Sequence, residues 1–286
     1  MKPRIKWDGH THSELCPHGS GDQTEQMIKR AIELGFTHYS ITEHAPLPDG
    51  LIANGQLQKE LTLQSHQIED YFYHVRELKQ KYRSQIVIYS GLEVDYLPNH
   101  IDYTQDLLSQ WNDYIDDWIL SLHFLEGEDG TRCVDFTPED FREGLIQYYG
   151  STDEVHFAYW RAMEKMLTVE FKGVSLPRIG HLGLINKFTL PLPLESSVME
   201  EVDFFEPIFK RIQNRGLAID VNIAGFHYPL SKLGYLTTPM QYWCNLLDLK
   251  MVYGSDAHSI KAVGRSYQEF EAISQGVASA PPTING

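Results

Sequence analysis

The chain has 286 residues, of which 42% are hydrophobic and 22% are charged. This balance is typical of a globular protein with a large core and excludes a disordered chain. The net charge of −15 argues against nucleic acid or an anionic membrane as a partner, because both carry the same sign of charge. The first residues lack the apolar segment of a signal peptide, and no apolar run reaches the roughly 20 residues that span a bilayer. We therefore expect a cytoplasmic protein, and the sequence makes no prediction of its oligomeric state.

Short apolar strands alternate with amphipathic helices along the chain. Seven strands are predicted, at residues 5–10, 38–44, 86–95, 118–124, 178–183, 217–224 and 251–258. Helices are predicted at residues 24–34 and 199–215, and Gly216 follows the second as a left-handed helix cap. This alternation predicts an α/β fold with parallel strands and right-handed crossovers, in either a barrel or a doubly wound sheet.

Two longer segments lack a strand pattern. Residues 137–171 are rich in aromatic side chains and predict helices that pack against the strands or cover them. Residues 184–198, which include Pro191 and Pro193, predict a long loop. No linker rich in Gly, Ser or Pro divides the chain, so residues 1–286 are predicted to form a single domain.

Histidines and carboxylates recur where the predicted strands end. His10 and His12 are two residues apart at the end of the first strand, so their side chains point to the same face. Later strands end in or just before His44, Glu93, His123, His181, Asp256 and His258. Because the carboxyl ends of parallel strands meet at one rim of a barrel, we expect these side chains to converge there. His18, in the loop after His12, is expected to join them.

The chemistry of these side chains predicts a metal centre. A single zinc ion takes about four ligands, so nine candidates predict two or three divalent metal ions. Imidazole mixed with carboxylate suits Zn, Fe or Mn, whereas a site made only of oxygen ligands would suit Mg or Ca. Such metals lower the pKa of bound water and so can supply a nucleophile at neutral pH.

The order of these motifs resembles the PHP (polymerase and histidinol phosphatase) superfamily. The matching motifs are His10-x-His12, Ile41-Thr42-Glu43-His44, Gly91-Leu92-Glu93-x-Asp95-Tyr96, Ser121-Leu122-His123, Ile179-Gly180-His181 and Gly254-Ser255-Asp256-x-His258. Further segments, at residues 134–136, 148–150, 178–182, 187–188 and 220–225, are similar to the histidinol-phosphate phosphatases of this superfamily. The resemblance extends from residue 8 to residue 258 and implies a distorted, TIM-like (β/α)7 barrel, in agreement with the number of predicted strands.

The resemblance also implies a ligand set and an activity. One metal would be held by His10, His12, Glu93 and Asp256, a second by Glu93, His123 and His181, and a third by His18, His44 and His258. The implied activity is that of a histidinol-phosphatase, a phosphoric monoester hydrolase that releases L-histidinol and phosphate in histidine biosynthesis. Glu93 would bridge two metals, and His44 or Asp256 could also move protons. These three residues are therefore the candidate catalytic residues.

Four further residues are candidate substrate contacts. Lys187 lies beyond the fifth strand, on the rim of the metal ligands, and His227 follows the sixth strand where related proteins often carry a basic residue. Asp95 shares a strand face with Glu93, and could receive the amine or imidazole of histidinol or could instead orient a metal ligand. Arg178 begins the fifth strand, so it is either a phosphate contact or a structural arginine.

Other functions stay open at this point. The segment after the sixth strand departs from the family pattern, and Gly183 replaces an acidic or hydroxyl residue, so another small phosphomonoester or a phosphodiester is an alternative substrate. A non-catalytic metal-binding scaffold is a second alternative, but the complete ligand set argues against it. Cys16 could ligate a metal, although a buried or redox-sensitive thiol is the better interpretation because the ligand sets are full without it.

Overall fold

Seven parallel strands follow one another in chain order around the computed structural model, which describes residues 5–231 and 233–276. The strands of the chain are β1 (Trp7–Asp8), β2 (His38–His44), β3 (Val87–Asp95), β4 (Asp117–Ser121), β5 (Phe124–Gly127), β6 (Gly130–Cys133), β7 (Arg178–Ile179), β8 (Ala218–Asn222) and β9 (Met251–Gly254). The main sheet has the order β1-β2-β3-β4-β7-β8-β9, and β5 and β6 form a separate antiparallel hairpin.

Hydrogen bonds join the two ends of the main sheet. The Gly9 amide donates to the Tyr253 carbonyl at 2.8 Å, and the Asp256 amide donates to the His10 carbonyl at 2.8 Å. The sheet therefore closes into a barrel, and the doubly wound alternative is wrong. All seven predicted barrel strands are present, at positions that agree with the prediction to within a few residues.

The helices lie between the strands. They are α1 (Thr24–Glu33), α2 (Gly55–Leu61), α3 (Ile68–Tyr82), α4 (Ile101–Trp111), α5 (Pro138–Asp140), α6 (Gln147–Tyr149), α7 (Thr152–Met166), α8 (Glu206–Arg215), α9 (Ala224–His227), α10 (Thr238–Leu246) and α11 (Tyr267–Ser274). A π-helical segment, Phe141–Ile146, joins α5 to α6. Short 3-10 turns occur at Ser65–Gln67, Asn112–Tyr114, Leu184–Phe188, Val198–Glu200, Val202–Phe205 and Ile260–Ala262. In the described part of the chain, each helix is too short or too polar to cross a membrane.

The helix predictions are largely confirmed. Helix α1 agrees with its predicted range, and the segment at 137–171 is mostly helical. Helix α8 begins later than predicted because Pro207 lies in its first turn, where a proline favours a helix start. Gly216 ends α8 with φ at 65°, the left-handed conformation expected of a glycine cap.

Packing of the helices fixes the strand positions. Met27, Ile28 and Ala31 of α1 are buried in the main core. The hydroxyl group of Tyr71, on α3, lies 2.8 Å from the Ile41 carbonyl and within hydrogen-bonding distance of β3 as well. This contact ties α3 to the two strands that carry His44 and Glu93.

Five of the seven barrel strands end earlier than predicted, and β2 and β3 end where they were predicted to. Strand β7 ends at Ile179, and a Cβ atom at Gly180 would collide with the Ser121 side chain on the neighbouring strand. Glycine at position 180 thus permits the close approach to Ser121, and His181 lies beyond the end of the strand. Residue Phe124, predicted to end the fourth strand, instead begins the β5–β6 hairpin, whose turn contains Asp129 with φ at 59°.

Candidate metal centre

The predicted ligands converge at the carboxyl-terminal rim of the barrel. The register of the two longest strands pairs His44 directly with Glu93. The imidazole ring of His12 stacks on the rings of His44 and His258, with centroid distances of 4.3 and 3.9 Å. Residues from β2 and β3 and from the segments after β1, β4, β7 and β9 thus meet in one place.

Two groups of side chains match the ligand sets implied by the family resemblance. The ligand atoms of His10, His12 and Asp256 lie within 4.8 Å of one another, as do those of Glu93, His123 and His181. In the second group, His123 Nε2 and His181 Nε2 are 3.1 Å apart. Two ring nitrogens at this distance need a proton or a cation between them or beside them, which is the environment that a metal ion supplies.

Glu93 lies between these two groups. One carboxylate oxygen is 2.9 Å from His181 Nε2, and the other is 3.2 Å from His10 Nε2 and 3.1 Å from His44 Nδ1. The side chain is 1% exposed. Its two oxygens therefore face different sets of imidazoles, which is the geometry that a bridging carboxylate requires.

The third group is the imidazole cluster nearest the surface. His12, His44, His258 and Cys16 offer ligand atoms within 4.8 Å of one another, and the ring centroid of His18 is 4.9 Å from that of His44. The Nε2 atoms of His44 and His258 are buried without a hydrogen-bond partner among the residues that the structure describes. Burial of unpaired nitrogen atoms is costly, so these atoms fit a site that is completed by a cation.

Cys16 lies closer to this cluster than the sequence interpretation assumed. The residue is 5% exposed, and burial together with Glu43 raises the pKa of its thiol. Its sulfur atom is nevertheless within the 4.8 Å cluster of imidazole nitrogens. The structure thus places a thiol beside the third group, next to the histidine ligands that the family resemblance implies.

Carboxylates outside the cluster orient three of the histidines. Asp220 Oδ2 is 2.8 Å from His10 Nδ1, and Asp95 Oδ1 is 2.7 Å from His123 Nδ1. Each contact leaves Nε2 of the imidazole directed to the centre, an arrangement common around metal-bound histidines. For Asp95 this geometry favours the orienting alternative over a substrate contact.

His12 is oriented in the same way by Glu43, whose Oε1 is 3.1 Å from its Nδ1. Glu43 and Asp220 are buried, and the sequence analysis did not identify either of them. Glu43 precedes a predicted ligand by one residue, so strand alternation places it on the other face of β2. The contact between His12 and Glu43 depends on the path of the backbone after β1, which the sequence pattern does not show.

The electrostatics of the centre favour bound cations. Burial alone would raise the pKa of Glu93, but His10 and His123 hold it well below its usual range. Burial alone would lower the pKa of His123, but Asp95 and Glu93 raise it to about 10. Burial and the neighbouring imidazoles lower the pKa of His18 to about 4, which favours the neutral form that binds metals. Carboxylates that retain their charge beside imidazoles need protons or metal ions between them, and the donor set fits divalent metals.

A cavity of about 230 Å³ opens above these side chains. Its walls include the predicted substrate contacts Lys187 and His227, together with Asp135, Tyr235 and Arg265. Lys187 Nζ is 2.8 Å from Asp135 Oδ2, and His227 Nε2 is 2.9 Å from Ser266 Oγ.

Arg265 is a second cation in this wall that the sequence analysis missed. Its side chain donates to the backbone carbonyls of Ser255, at 2.8 Å, and Asp256, at 3.2 Å. It lies nine residues beyond Asp256, in a segment without a recognisable motif. The segment returns to the rim only because the chain folds back after β9.

Arg178 does not reach the cavity. Its side chain lies in the barrel interior, where it binds Asp117 and donates to the Gly9 carbonyl. The residue is 3% exposed and does not line the cavity above the metal ligands. Its prediction as a substrate contact is therefore corrected: Arg178 begins its strand, away from the rim, and the structural alternative is the one observed.

Comparison with known proteins identifies the family of this chain. The sequence pattern of the PHP domain matches residues 8–224. The chain belongs to the PHP family. A second pattern, described as PHP-associated, matches residues 240–279, which include β9 and α11.

Relatives of this PHP protein are named as histidinol phosphatases. The histidinol-phosphatase of Bacillus subtilis is 32% identical over 266 residues, which cover 93% of this chain and 98% of that protein. A candidate histidinol phosphatase from Listeria monocytogenes has a crystal structure with a TM-score of 0.88 at 35% identity, covering 93% of this chain and all of that one. The likeness confirms the barrel fold expected of the family.

A more distant crystal structure shares the fold. It is the histidinol phosphate phosphatase of Lactococcus lactis, whose crystal structure contains zinc, L-histidinol and phosphate. The TM-score is 0.69 at 16% identity, and the match covers 96% of this chain and 94% of that one. The single-domain organisation of residues 1–286 stays a prediction.

Proposed function

We propose that this PHP protein is a metal-dependent phosphatase that hydrolyses L-histidinol phosphate to L-histidinol and inorganic phosphate. The observation that carries the proposal is the position of Glu93, whose two oxygens face two groups of imidazoles at the base of an open cavity. The 32% identity to the histidinol-phosphatase of Bacillus subtilis, over 98% of that protein, supports this choice of substrate.

The nine residues His10, His12, His18, His44, Glu93, His123, His181, Asp256 and His258 are proposed to hold two or three divalent ions. Bound ions of this kind supply a nucleophile at neutral pH and neutralise charge on the phosphoryl oxygens. Zinc, which the Lactococcus protein of the same fold contains, is the first metal to test, with iron and manganese as alternatives.

Residues of the cavity wall are proposed to position the substrate. Lys187 and Arg265 place two cations in the wall of the cavity, where they can attract and orient a phosphate group. Asp135, which pairs with Lys187, can receive the amine or imidazole of histidinol when the lysine turns to the phosphate. His227 lies exposed beside them and remains a candidate contact.

His44 and Asp256 also line the cavity, so both remain candidates for moving a proton to or from the reacting oxygen atoms. We also place the protein in the cytoplasm and expect a small phosphomonoester, with neither nucleic acid nor membrane as a partner. The exclusion of nucleic acid and membrane rests on the net charge of −15, and the phosphomonoester follows from the proposed metal centre.

An assay of a substrate panel tests the proposed activity. Purified protein is analysed for metals and assayed with histidinol phosphate and with generic aryl phosphates. Histidinol phosphate should be hydrolysed with the highest kcat/KM, chelation should abolish turnover, and added zinc should restore it. Equal turnover of the aryl phosphates would contradict the specific substrate, and bound metal without hydrolysis of any phosphoester would favour the scaffold alternative.

A further inference from the structure

A second cavity lies beside the metal centre, on the other side of Phe124. Its volume is about 450 Å³, compared with about 230 Å³ for the cavity above the histidines. This volume is within the usual range for small-molecule sites in proteins. Helix α7, the β5–β6 hairpin and the segment that follows β3 form its walls.

Most of the cavity surface is apolar. Leu97, Leu122 and Leu125 line one side, and Ala158 and Ala162 line the other. The two alanines lie on the same face of α7, because residues four apart are neighbours on a helix. Their small side chains leave the space that a larger residue would fill.

Two cationic side chains of α7 lie on the same helix face as the alanines and also line this cavity. Arg161 and Lys165 line it, and neither forms an ion pair or a side-chain hydrogen bond with any residue in the described parts of the chain. Among the described residues, the only lining carboxylate is that of Glu126, and His100 is the remaining titratable group besides two tyrosines. In a chain with a net charge of −15, an apolar cavity with an excess of unpaired cations is complementary to an anion.

We propose that this cavity binds a small molecule with an apolar body and one anionic group, at a site distinct from the metal centre. The apolar body would occupy the space between the leucines and the alanines. The anionic group would lie at the rim of the cavity, beside Arg161 and Lys165. The inference goes beyond the proposed phosphatase function and does not depend on it.

Phe124 borders both sites, so an experiment has to show which of the two sites a probe occupies. Phe124 lines both this cavity and the space that contains His123 and His18. A metal centre also attracts anions, so a bound probe has to be assigned to one of the two sites.

Binding is measured on the zinc-loaded protein with the anionic dye 1-anilinonaphthalene-8-sulfonate, whose fluorescence rises in apolar sites. We expect one saturable site from which 3-phenylpropionate displaces the dye. The neutral 3-phenylpropanamide, which has the same body without the charge, should require at least about tenfold more for the same displacement. Saturating inorganic phosphate, which occupies the metal centre, should leave the dye bound.

Variants assign the dye to the cavity. The double variant Arg161→Gln/Lys165→Gln removes the charges and should raise the Kd of the dye at least about tenfold, and Ala162→Phe should do the same by filling the space. Arg83→Gln, which removes another exposed cation, is the matched control and should leave the Kd unchanged. The double variant changes exposed residues only, so it keeps the test valid if Ala162→Phe destabilises the fold. The proposal is overturned if phosphate displaces the dye, or if the double variant binds the dye as the unmodified protein does.

Discussion

At the scale of single residues, the centre depends on pairs of acids and imidazoles in which each side chain has a separate task. Glu93 contacts His10, His44 and His181 directly. Asp220 contacts the ring of only one of these histidines, His10, from outside the centre, and accepts a long hydrogen bond from the His181 amide at 3.5 Å. Replacement of the two acids is therefore expected to reduce metal binding and activity to different extents, although both side chains are buried.

Replacement of Glu93 tests its bridging position. Glu93→Gln keeps the shape of the side chain but removes the charge that two groups of imidazoles share, so metal content and kcat should fall together. We expect a loss in activity of more than about a hundredfold, measured beside elemental analysis. The exposed Glu143→Gln is the control and should change neither quantity. Full metal content with full activity in Glu93→Gln would refute the assignment.

Replacement of Asp220 tests the orienting contact. Asp220→Asn should weaken metal binding by about 10- to 100-fold, because His10 loses the partner that holds its ring. Competition with a chelator of known affinity measures the change, and excess zinc should restore most of the activity. Asp113→Asn, at an exposed position, serves for comparison. An unchanged zinc affinity would show that this contact is not needed to orient His10.

At the scale of elements, short strands and the segments that follow them decide the site. His10, His12, His123 and His181 lie just beyond strand ends, where the backbone has left the sheet and can aim side chains inward. The β5–β6 hairpin was missed because its strands have four residues each, too few for alternation to be recognised. Cys133 and Phe124, at the two ends of this hairpin, nevertheless line the space beside the site.

Helix α7 provides a test that is independent of the metals. His156 is 1% exposed, and burial lowers its pKa to about 3. In the unfolded chain its pKa is about 6.5, so the unfolded state binds more protons between these two values and stability falls as the pH falls through this window. At pH 5 this one residue should cost about 2 kcal/mol of the free energy of unfolding relative to pH above 7.

The comparison uses the metal-free protein and its His156→Leu variant, unfolded in urea at pH 7.5 and pH 5. The variant should lose less stability between the two pH values than the unmodified protein does. His66→Leu, at an exposed position, should behave as the unmodified protein. Equal losses in the His156→Leu variant and the unmodified protein would contradict the burial of a neutral imidazole.

At the scale of the whole molecule, barrel closure joins residues far apart in sequence. Hydrogen bonds between the first and last strands bring His12 within 3.1 Å of Asp256, which lies 244 residues later. Three divalent ions would also change the net charge from −15 to about −9 and would leave the site locally positive. A small phosphate can therefore bind to a protein whose total charge repels long polyanions.

Removal of the metals should affect the stability of the whole barrel, since ions that bind only the folded state stabilise it. Zinc at a free concentration of about 100 times its Kd should contribute about 2.7 kcal/mol per site, so the Tm should fall on chelation and rise again with added zinc. Differential scanning calorimetry measures this shift. A Tm that is independent of free zinc would argue against ions shared by six different segments of the barrel.

The sequence by itself determined the positions of the seven barrel strands and the nine candidate ligands, and the family resemblance implied the barrel, since strand period and motif order are local properties. It also predicted Lys187 and His227 at the rim, where the structure places them. The partners of those ligands were decided only by the tertiary structure. Glu43 and Asp220 lie in segments that match the family pattern, but the pattern does not show which histidines they contact, and Arg265 lies outside it. Arg178 could be placed in the interior only when Asp117 and Gly9 were seen beside it. The physical reason is that side-chain contacts depend on how the chain returns after each strand, and a local pattern contains no information on that return.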